Sequence, residues 1–338
     1  MLVFSESDAA ACIGPADVPE TIDVIERAYR EKSHGAVALH PRQTIAYPPG
    51  EGYYVDSAIR LLCGFLPASG SAAMRIYPVS HDAPVNERGP RVLDYTMGQE
   101  LLLYYRYDRG MELAAIFSNR HIMNLRTAAP TGVATRHMAR PNASTLAVIG
   151  AGRHAPWQIR AACAVRPIER VRIHSPTRAR REGLAADLTE ELGIDVAATD
   201  SAEEAVRGAD VVITVTNANE PVLDAAWLAP GAHVNVIARG EIDAATILRA
   251  DVIACSWREQ IVRDVPEFRP VGGLIREGRI SEDAFLDLDA CVDAGSARGD
   301  DAITLFLSQG VGLWDAAIAP WAYEKLVSAG RGSAVSLA

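Results

Sequence analysis

At 338 residues the chain exceeds the size at which one core keeps growing, so two domains are expected, and 49% hydrophobic content supplies a sizeable core. A formal net charge of -10 argues against a nucleic-acid partner, because binders of a phosphate backbone concentrate positive charge. Five scattered cysteines without a C-x-x-C pair support neither a disulfide framework nor a zinc site; no basic start with an apolar run opens the chain, and no apolar run nears the ~20 residues a bilayer needs.

In chain order, Pro19 to Ser33 is predicted as an amphipathic helix with Ile22, Ile25, Ala28 and Tyr29 on one face. From Leu39 to Ala115, short apolar runs at Thr44–Tyr47, Ala73–Tyr77, Arg91–Tyr95, Leu101–Tyr105 and Glu112–Phe117 alternate with Gly, Pro, Asn and Asp. This predicts an antiparallel sheet with hairpin connections. A helix over Asn119–Met138 carries Ile122, Leu125, Ala129 and Val133 at helical spacing, with Pro130 predicting a kink or break. Strand-like runs then alternate with helix-like ones: Thr145–Ile149, helix Ile159–Val165, Arg170–His174, helix Arg178–Leu192, Ile194–Ala198, helix Ala202–Arg207, Asp210–Val215, His233–Ile237 and Asp251–Ala254. That succession predicts a doubly wound parallel sheet in an α/β domain. A run at Ile303–Leu307 and a last helix, Val311–Val327, close the chain, the helix packing back on the N-terminal part.

Leu146-Ala147-Val148-Ile149 runs into Gly150-Ala151-Gly152-Arg153-His154-Ala155, a G-x-G-x-x-A turn between strand and helix. Gly150 permits the tight turn, Gly152 lets the backbone approach a pyrophosphate, and Ala155 allows the helix to lie close to the strand. The helix start, with Arg153 and His154, would then hold the phosphates. The second strand, Val171-Arg172-Ile173-His174, ends in Ser175-Pro176-Thr177-Arg178 rather than in the carboxylate an NAD site uses. NADP(H) is therefore expected over NAD(H), with Ser175, Thr177 and Arg178 around the 2′-phosphate. The other reading of Arg178, Arg180 and Arg181 is a solvent-facing helix start.

The chain resembles the ornithine cyclodeaminase/μ-crystallin family over nearly its whole length. The resemblance is carried by Pro41-Arg42, Met74-Arg75-Ile76-Tyr77, Leu125-Arg126-Thr127-Ala128-Ala129, the glycine turn, Val215-Thr216-Asn217, Glu220-Pro221-Val222-Leu223, Pro230-Gly231-Ala232-His233-Val234-Asn235, and Phe306-Leu307-Ser308-Gln309-Gly310-Val311-Gly312 with Trp314-Asp315. It implies a substrate and dimerisation domain over residues 1–120 plus 309–338, of α+β character and completed by the last helix, and a Rossmann domain over 121–308. It also implies a homodimer acting on a small amino, imino or keto acid with a nicotinamide cofactor; the cytoplasmic setting is expected separately, from the scattered cysteines read as reduced thiols. Thr127, Thr216, Asn217, Ser308 and Gly310 would join the cofactor site, and Arg42, Arg75 and Arg126 would grip the substrate carboxylate, for which the guanidinium fork is well matched.

Two departures bear on the reaction. Arg75 stands where the family usually has lysine, and arginine is too strongly basic to act as a general acid. Gly240 stands at the aspartate of cyclodeaminating members; Glu241 or Asp243 could substitute in a shifted loop, and Arg239 could favour a second anionic group. His81 and Asp82 could supply a proton, the alternative being loop residues. Histidine spacing gives no metal site, Cys63 is expected to be a structural thiol, and no G-x-S-x-G occurs. These features predict an NADP(H)-dependent reductase of an α-imino or ketimine carboxylate; a cyclodeaminase releasing ammonia and a weakly catalytic NADPH-binding protein are the alternatives.

Overall fold

The computed structural model describes residues 1–47, 57–80, 99–218, 220–238, 240–263, 269–294 and 299–336. It comprises two compact units: Met1–Arg126 with Gly310–Ala338, and Thr127–Gln309. The first division therefore falls inside a helix, a few residues later than the sequence boundary after residue 120.

In the first unit, β1 (Leu2–Phe4) leads to α1 (Glu6–Cys12), whose start is fixed by a capping box between Ser5 and Asp8. Helix α2 (Val18–Ser33) buries Ile22, Ile25, Ala28 and Tyr29, the face its spacing predicted. Strands β2 (Ala38–Tyr47), β3 (Ser57–Leu66), β4 (Ser71–Ser80), β5 (Leu101–Arg106) and β6 (Glu112–Ser118) follow. Strand β3 is additional to the expected set, and the run at Arg91–Tyr95 lies outside the described residues. Helix α3 (Arg120–Met138) continues through Pro130 without a break. Pro130 deprives the carbonyl of Arg126 of its intrahelical donor, but Ala128, Ala129, Thr131, Val133 and Ala134 are completely buried and packing keeps the helix continuous.

The second unit alternates β7 (Thr145–Ile149), α4 (Ala155–Cys163), β8 (Arg170–His174), α5 (Arg178–Leu192), β9 (Asp195–Ala198), α6 (Ala202–Val206), β10 (Val211–Thr214), β11 (His233–Val236), α7 (Ala244–Arg249), β12 (Val252–Cys255), α8 (Arg258–Arg263), α9 (Arg269–Arg276), β13 (Phe285–Asp287), α10 (Leu288–Ala294) and β14 (Thr304–Leu307). The strands form one sheet in the order β13-β12-β14-β11-β10-β7-β8-β9, every pair parallel. Leu146 and Val148 face one core, Ala147 and Ile149 the other. Helices on both faces demand apolar residues at both parities, which is why these strands read as continuous apolar runs. The order reverses between β7 and β10, and such a switch point opens a ligand crevice at the carboxyl ends of the strands.

The chain closes with α11 (Gly312–Ser328) and β15 (Ser333–Ala334) in the first unit. Its sheet runs β15-β1-β6-β5-β4-β3-β2, with only the β1–β6 pair parallel. Helix α11 lies on β3, β4 and α2. Its N-terminus reaches the β3 backbone because both sides are glycine: a Cβ on Gly312 would sit 2.0 Å from the Cys63 carbonyl oxygen, and one on Gly64 would sit 2.6 Å from the Gly312 carbonyl.

Candidate functional site

The β7–α4 turn sits at the switch point. Gly150 adopts φ +121°, and a Cβ there would lie 2.3 Å from the Val215 carbonyl oxygen, so a side chain at this position would collide with the end of β10. Gly152 differs: its missing Cβ would point into open space, with nothing within 4 Å. Space directly over the backbone, at the start of a nine-residue helix whose N-cap residue His154 makes no side-chain capping bond, is a cradle that fits a pyrophosphate. Arg153 is exposed beside it, 3.3 Å from His154 Nε2. Thr216 and exposed Asn217 follow β10 on the other side of the switch point, and Thr216 Oγ1 accepts from the Ala218 N–H at 3.1 Å.

At the end of β8 the three arginines part company. Arg181 is buried, donating to the Ser175 carbonyl at 2.9 Å and pairing with Asp200 at 2.7 Å, so it clasps the loop. Arg178 is 77% exposed and paired with Glu182 at 2.7 Å, while Thr177, the N-cap of α5, spends its hydroxyl on no capping bond. Elsewhere in the second unit, the Thr127 carbonyl accepts from Gln158 at 3.2 Å, and buried Ser308 donates its N–H to Val236.

The first unit gathers guanidinium groups on one wall. Arg75 on β4 and Arg126 on α3 are 5% and 2% exposed. Arg75 pairs with Glu100, donates to Met123 Sδ at 2.8 Å, and lies 4.2 Å from the centre of the Tyr77 ring. Arg126 Nε is 3.2 Å from Asp315 Oδ1 of α11, and its guanidinium stacks 5.4 Å from the Trp314 ring. Gly310 gives that group room, since a Cβ there would meet Arg126 Nη1 at 3.1 Å. Gly310, expected at the cofactor, thus lies beside Arg126 in the first unit. Arg42 sits in a β-bulge of β2, between His40 and Gln43, a geometry that re-aims side chains. Arg42, Arg60 and Arg75 all act on Tyr77. Burial alone would raise its phenol, yet the three cations outweigh it and hold the pKa below its ordinary value. Burial pushes Asp315 well above the usual carboxylate range, with Arg75 opposing and Glu100 reinforcing the rise.

Glu241, the carboxylate considered as a substitute in a shifted loop, is enclosed by donors. It is completely buried in the second unit, accepting from Thr214 Oγ1 and the Ala238 N–H, each at 2.8 Å, and from the Thr216 N–H. It ties the loop after β11 to the end of β10. Burial pushes its pKa up to about 7 against those donors. Asp243 caps α7 through the Thr246 N–H at 2.8 Å. Both carboxylates thus hold loop and helix backbone in the second unit. Arg239, His81 and Asp82 lie outside the described residues.

Residues 15–330 match the model of the ornithine cyclodeaminase/mu-crystallin family. The chain belongs to this family. Among its relatives is the uncharacterized cyclodeaminase y4tK of Sinorhizobium fredii, 31% identical with 98% of each chain covered. Another is a delta(1)-pyrroline-2-carboxylate reductase of Bacillus cereus, 30% identical over 66% of this chain and 70% of that one. The fold also matches the solved structure of the Thermococcus litoralis delta(1)-pyrroline-2-carboxylate reductase in complex with NADH and L-proline: TM-score 0.84, 27% identity, 99% of this chain and 100% of that one covered.

Within this family member, two residues beside these arginines, Asp315 and Arg60, take no site role from the sequence, although Asp315 is among the marks of the resemblance. Asp315 was visible as a lone carboxylate in the apolar run Gly312-Leu313-Trp314-Asp315-Ala316-Ala317-Ile318, a pattern that calls for a buried cationic partner. Arg60 had no such signal, because the strand that carries it was not anticipated.

Proposed function

We propose that this protein is a nicotinamide-dependent reductase of the C=N bond of an α-imino carboxylate, using NADP(H) in preference to NAD(H). One observation carries the reading. Arg126 is buried, yet its Nη2 donates to no acceptor among the described residues, and the neighbouring Asp315 oxygens accept no hydrogen bond. A buried guanidinium with an unspent donor is costly, and a substrate carboxylate satisfies it through two parallel bonds. Arg75, always charged and braced by Glu100, is a second anchor that orients the acid without donating a proton. Arg42 completes the grip. Fixing the carboxylate presents the imine carbon in one orientation, and such positioning is a main source of rate.

A bound nicotinamide supplies the hydride. For its nucleotide, the chain offers the open backbone at Gly152, the α4 N-terminus, Arg153 and His154, with Thr127, Thr216, Asn217 and Ser308 as further contacts. The preference for a 2′-phosphate rests on Ser175, Thr177 and Arg178. The Arg178–Glu182 pair is a solvent-exposed link of little strength, so the guanidinium can turn to a phosphate at small cost. The Bacillus cereus and Thermococcus litoralis relatives, named for reduction of a cyclic imino acid, support the substrate class. The donors that enclose Glu241 favour the reductase reading over a cyclodeaminase that would use it as the acid–base group.

The test is NADPH oxidation followed by absorbance with a panel of α-keto acids and ammonia or methylamine. Steady, amine-dependent oxidation is expected, and Ser175→Asp should shift preference towards NADH. Calorimetry in which the protein ignores both reduced coenzymes would overturn the proposal.

A further inference from the structure

Asp315 lies in the first turn of α11 and is completely buried. Its Oδ1 stands 3.2 Å from Arg126 Nε, yet among the described residues neither carboxyl oxygen, nor that nitrogen, makes a hydrogen bond. The pair is matched in charge and misaligned in direction. A buried ion pair kept for the fold needs aligned hydrogen bonds to offset the cost of taking both charges out of water. Without them, Asp315 has bonding capacity that the fold does not use, beside the guanidinium to which the reductase reading assigns the substrate carboxylate.

The charged and titratable groups around Asp315 come from several elements. Arg126 of α3 and Arg75 of β4 favour its ionised form; Glu100, ahead of β5, opposes it, and Asp315 in turn raises the Cys63 thiol of β3. Tyr29 of α2 is taken by the adjacent Trp314, whose Nε1 donates to its hydroxyl at 2.9 Å. Burial outweighs the arginines and keeps a proton on Asp315 at a pH where an open aspartate has lost it. Its neighbours are engaged: Glu100 Oε1 takes bonds from Arg75 and Asn119, the Tyr77 hydroxyl takes one from Arg60, and Arg75 stays charged. The chain's two lysines lie elsewhere, Lys32 on α2 and Lys325 paired with Asp17.

We infer that Asp315 donates the proton to the imine nitrogen, a role that Arg75 cannot take. The inference rests on the reductase reading. In an α-imino acid the nitrogen and the carboxylate share one carbon and lie roughly 3 Å apart. A carboxylate seated on Arg126 therefore brings the nitrogen within hydrogen-bond reach of Asp315. As hydride reaches the imine carbon, the C=N electron pair closes onto nitrogen, and the Asp315 O–H bond breaks to place its proton there. The imine is reduced to the amine and the nicotinamide oxidised. Asp315 is left as a carboxylate stabilised by Arg126 and Arg75, and water returns its proton.

The experiment follows NADPH oxidation with preformed 1-piperideine-2-carboxylate, which needs no added amine, from roughly pH 5.5 to pH 9. The wild-type kcat is expected to fall as pH rises and the proton is lost. Asp315→Asn keeps the shape without the acid; its kcat should drop roughly 100- to 10,000-fold, with KM within about fivefold and no alkaline fall. Asp315→Glu should regain part of both, and NADPH titration by fluorescence checks that the variants are folded. Infrared difference spectra between the two pH limits read the proton itself. A carboxylic-acid C=O band lost at high pH is expected in the wild type and not in Asp315→Asn, whereas a band from Glu241 stays in both. A wild-type kcat level with pH, an Asp315→Asn kcat within about threefold of wild type, or identical infrared differences would overturn the role of Asp315 and leave the reductase reading standing. Oxidation with neither this imine nor the keto-acid panel removes the reductase reading and this role with it.

Discussion

Arg126 and Asp315 bury opposite charges side by side, and their replacement separates binding from folding. Arg126→Ala removes a carboxylate fork, and losing a charge-assisted hydrogen bond costs about 1.5–3 kcal/mol. KM for the imino acid should rise roughly 10- to 100-fold while NADPH affinity, measured by fluorescence titration, stays within about threefold. The variant should still fold, because burial already holds the Asp315 carboxyl high and lets it take a proton once the cation is gone. An equal loss of substrate and cofactor binding would contradict the assigned role. Glu241 gives a complementary test through pH. Its folded pKa of about 7 lies above its ordinary value of 4.5. Its contribution to stability is thus fully present below the lower value and is lost as pH rises through the higher, by on the order of 3 kcal/mol at most. Urea midpoints at roughly pH 5 and pH 8 should show a larger fall for the wild type than for Glu241→Gln, which has no such proton to lose. Parallel falls would mean that the titrating group lies elsewhere.

At the scale of elements, two glycines with opposite surroundings make a paired prediction. Gly312→Ala drives a Cβ into the β3 backbone at Cys63, where no flexible side chain can give way. It should cost ~1–3 kcal/mol or more by overpacking and lower the melting temperature by several degrees. Gly152→Ala meets nothing; its melting temperature should hardly move, while NADPH binding weakens by an order of magnitude, roughly, as the methyl occupies the phosphate's approach. A Gly152→Ala protein that melts early and binds normally would reverse the two roles. The same elements explain what could be read in advance. The β7–α4 turn was legible because local chemistry dictates it: an apolar strand, two glycines and a helix start in unbroken succession. Helix α2 was legible by its one-sided spacing. Strand β3 was not, because Ile59, Leu61 and Phe65 alternate with Ala58, Leu62 and Leu66, leaving no polar parity to mark a strand. With β3 hidden, the placement of Arg60 opposite Tyr77 could not be foreseen, for register is a long-range property.

For the whole molecule, the reason that β3 is apolar on both sides becomes the argument for its assembly. One face of the seven-stranded sheet is covered by α11. On the other, Ile45 and Ile59 are direct cross-strand partners at 63% and 50% exposure. The paired residues Leu61 and Ile76, and the neighbouring Leu101 and Leu103, extend that face in only half-buried positions. A contiguous apolar surface of this kind marks an interface, and a second copy of the chain offers the same surface in return, as a two-fold symmetric contact requires. We therefore expect a homodimer in solution by light scattering on a sizing column. Ile59→Glu places a carboxylate on the paired apolar face, where it would be buried without a partner in the dimer but solvated in the monomer. The variant should elute as a monomer with NADPH binding largely retained, because Ile59 lies on the face opposite Arg60 and in a different unit from the glycine turn. A dimer unaffected by that charge would exclude this face as the contact, and a wild-type monomer would leave the apolar surface without the role assigned to it.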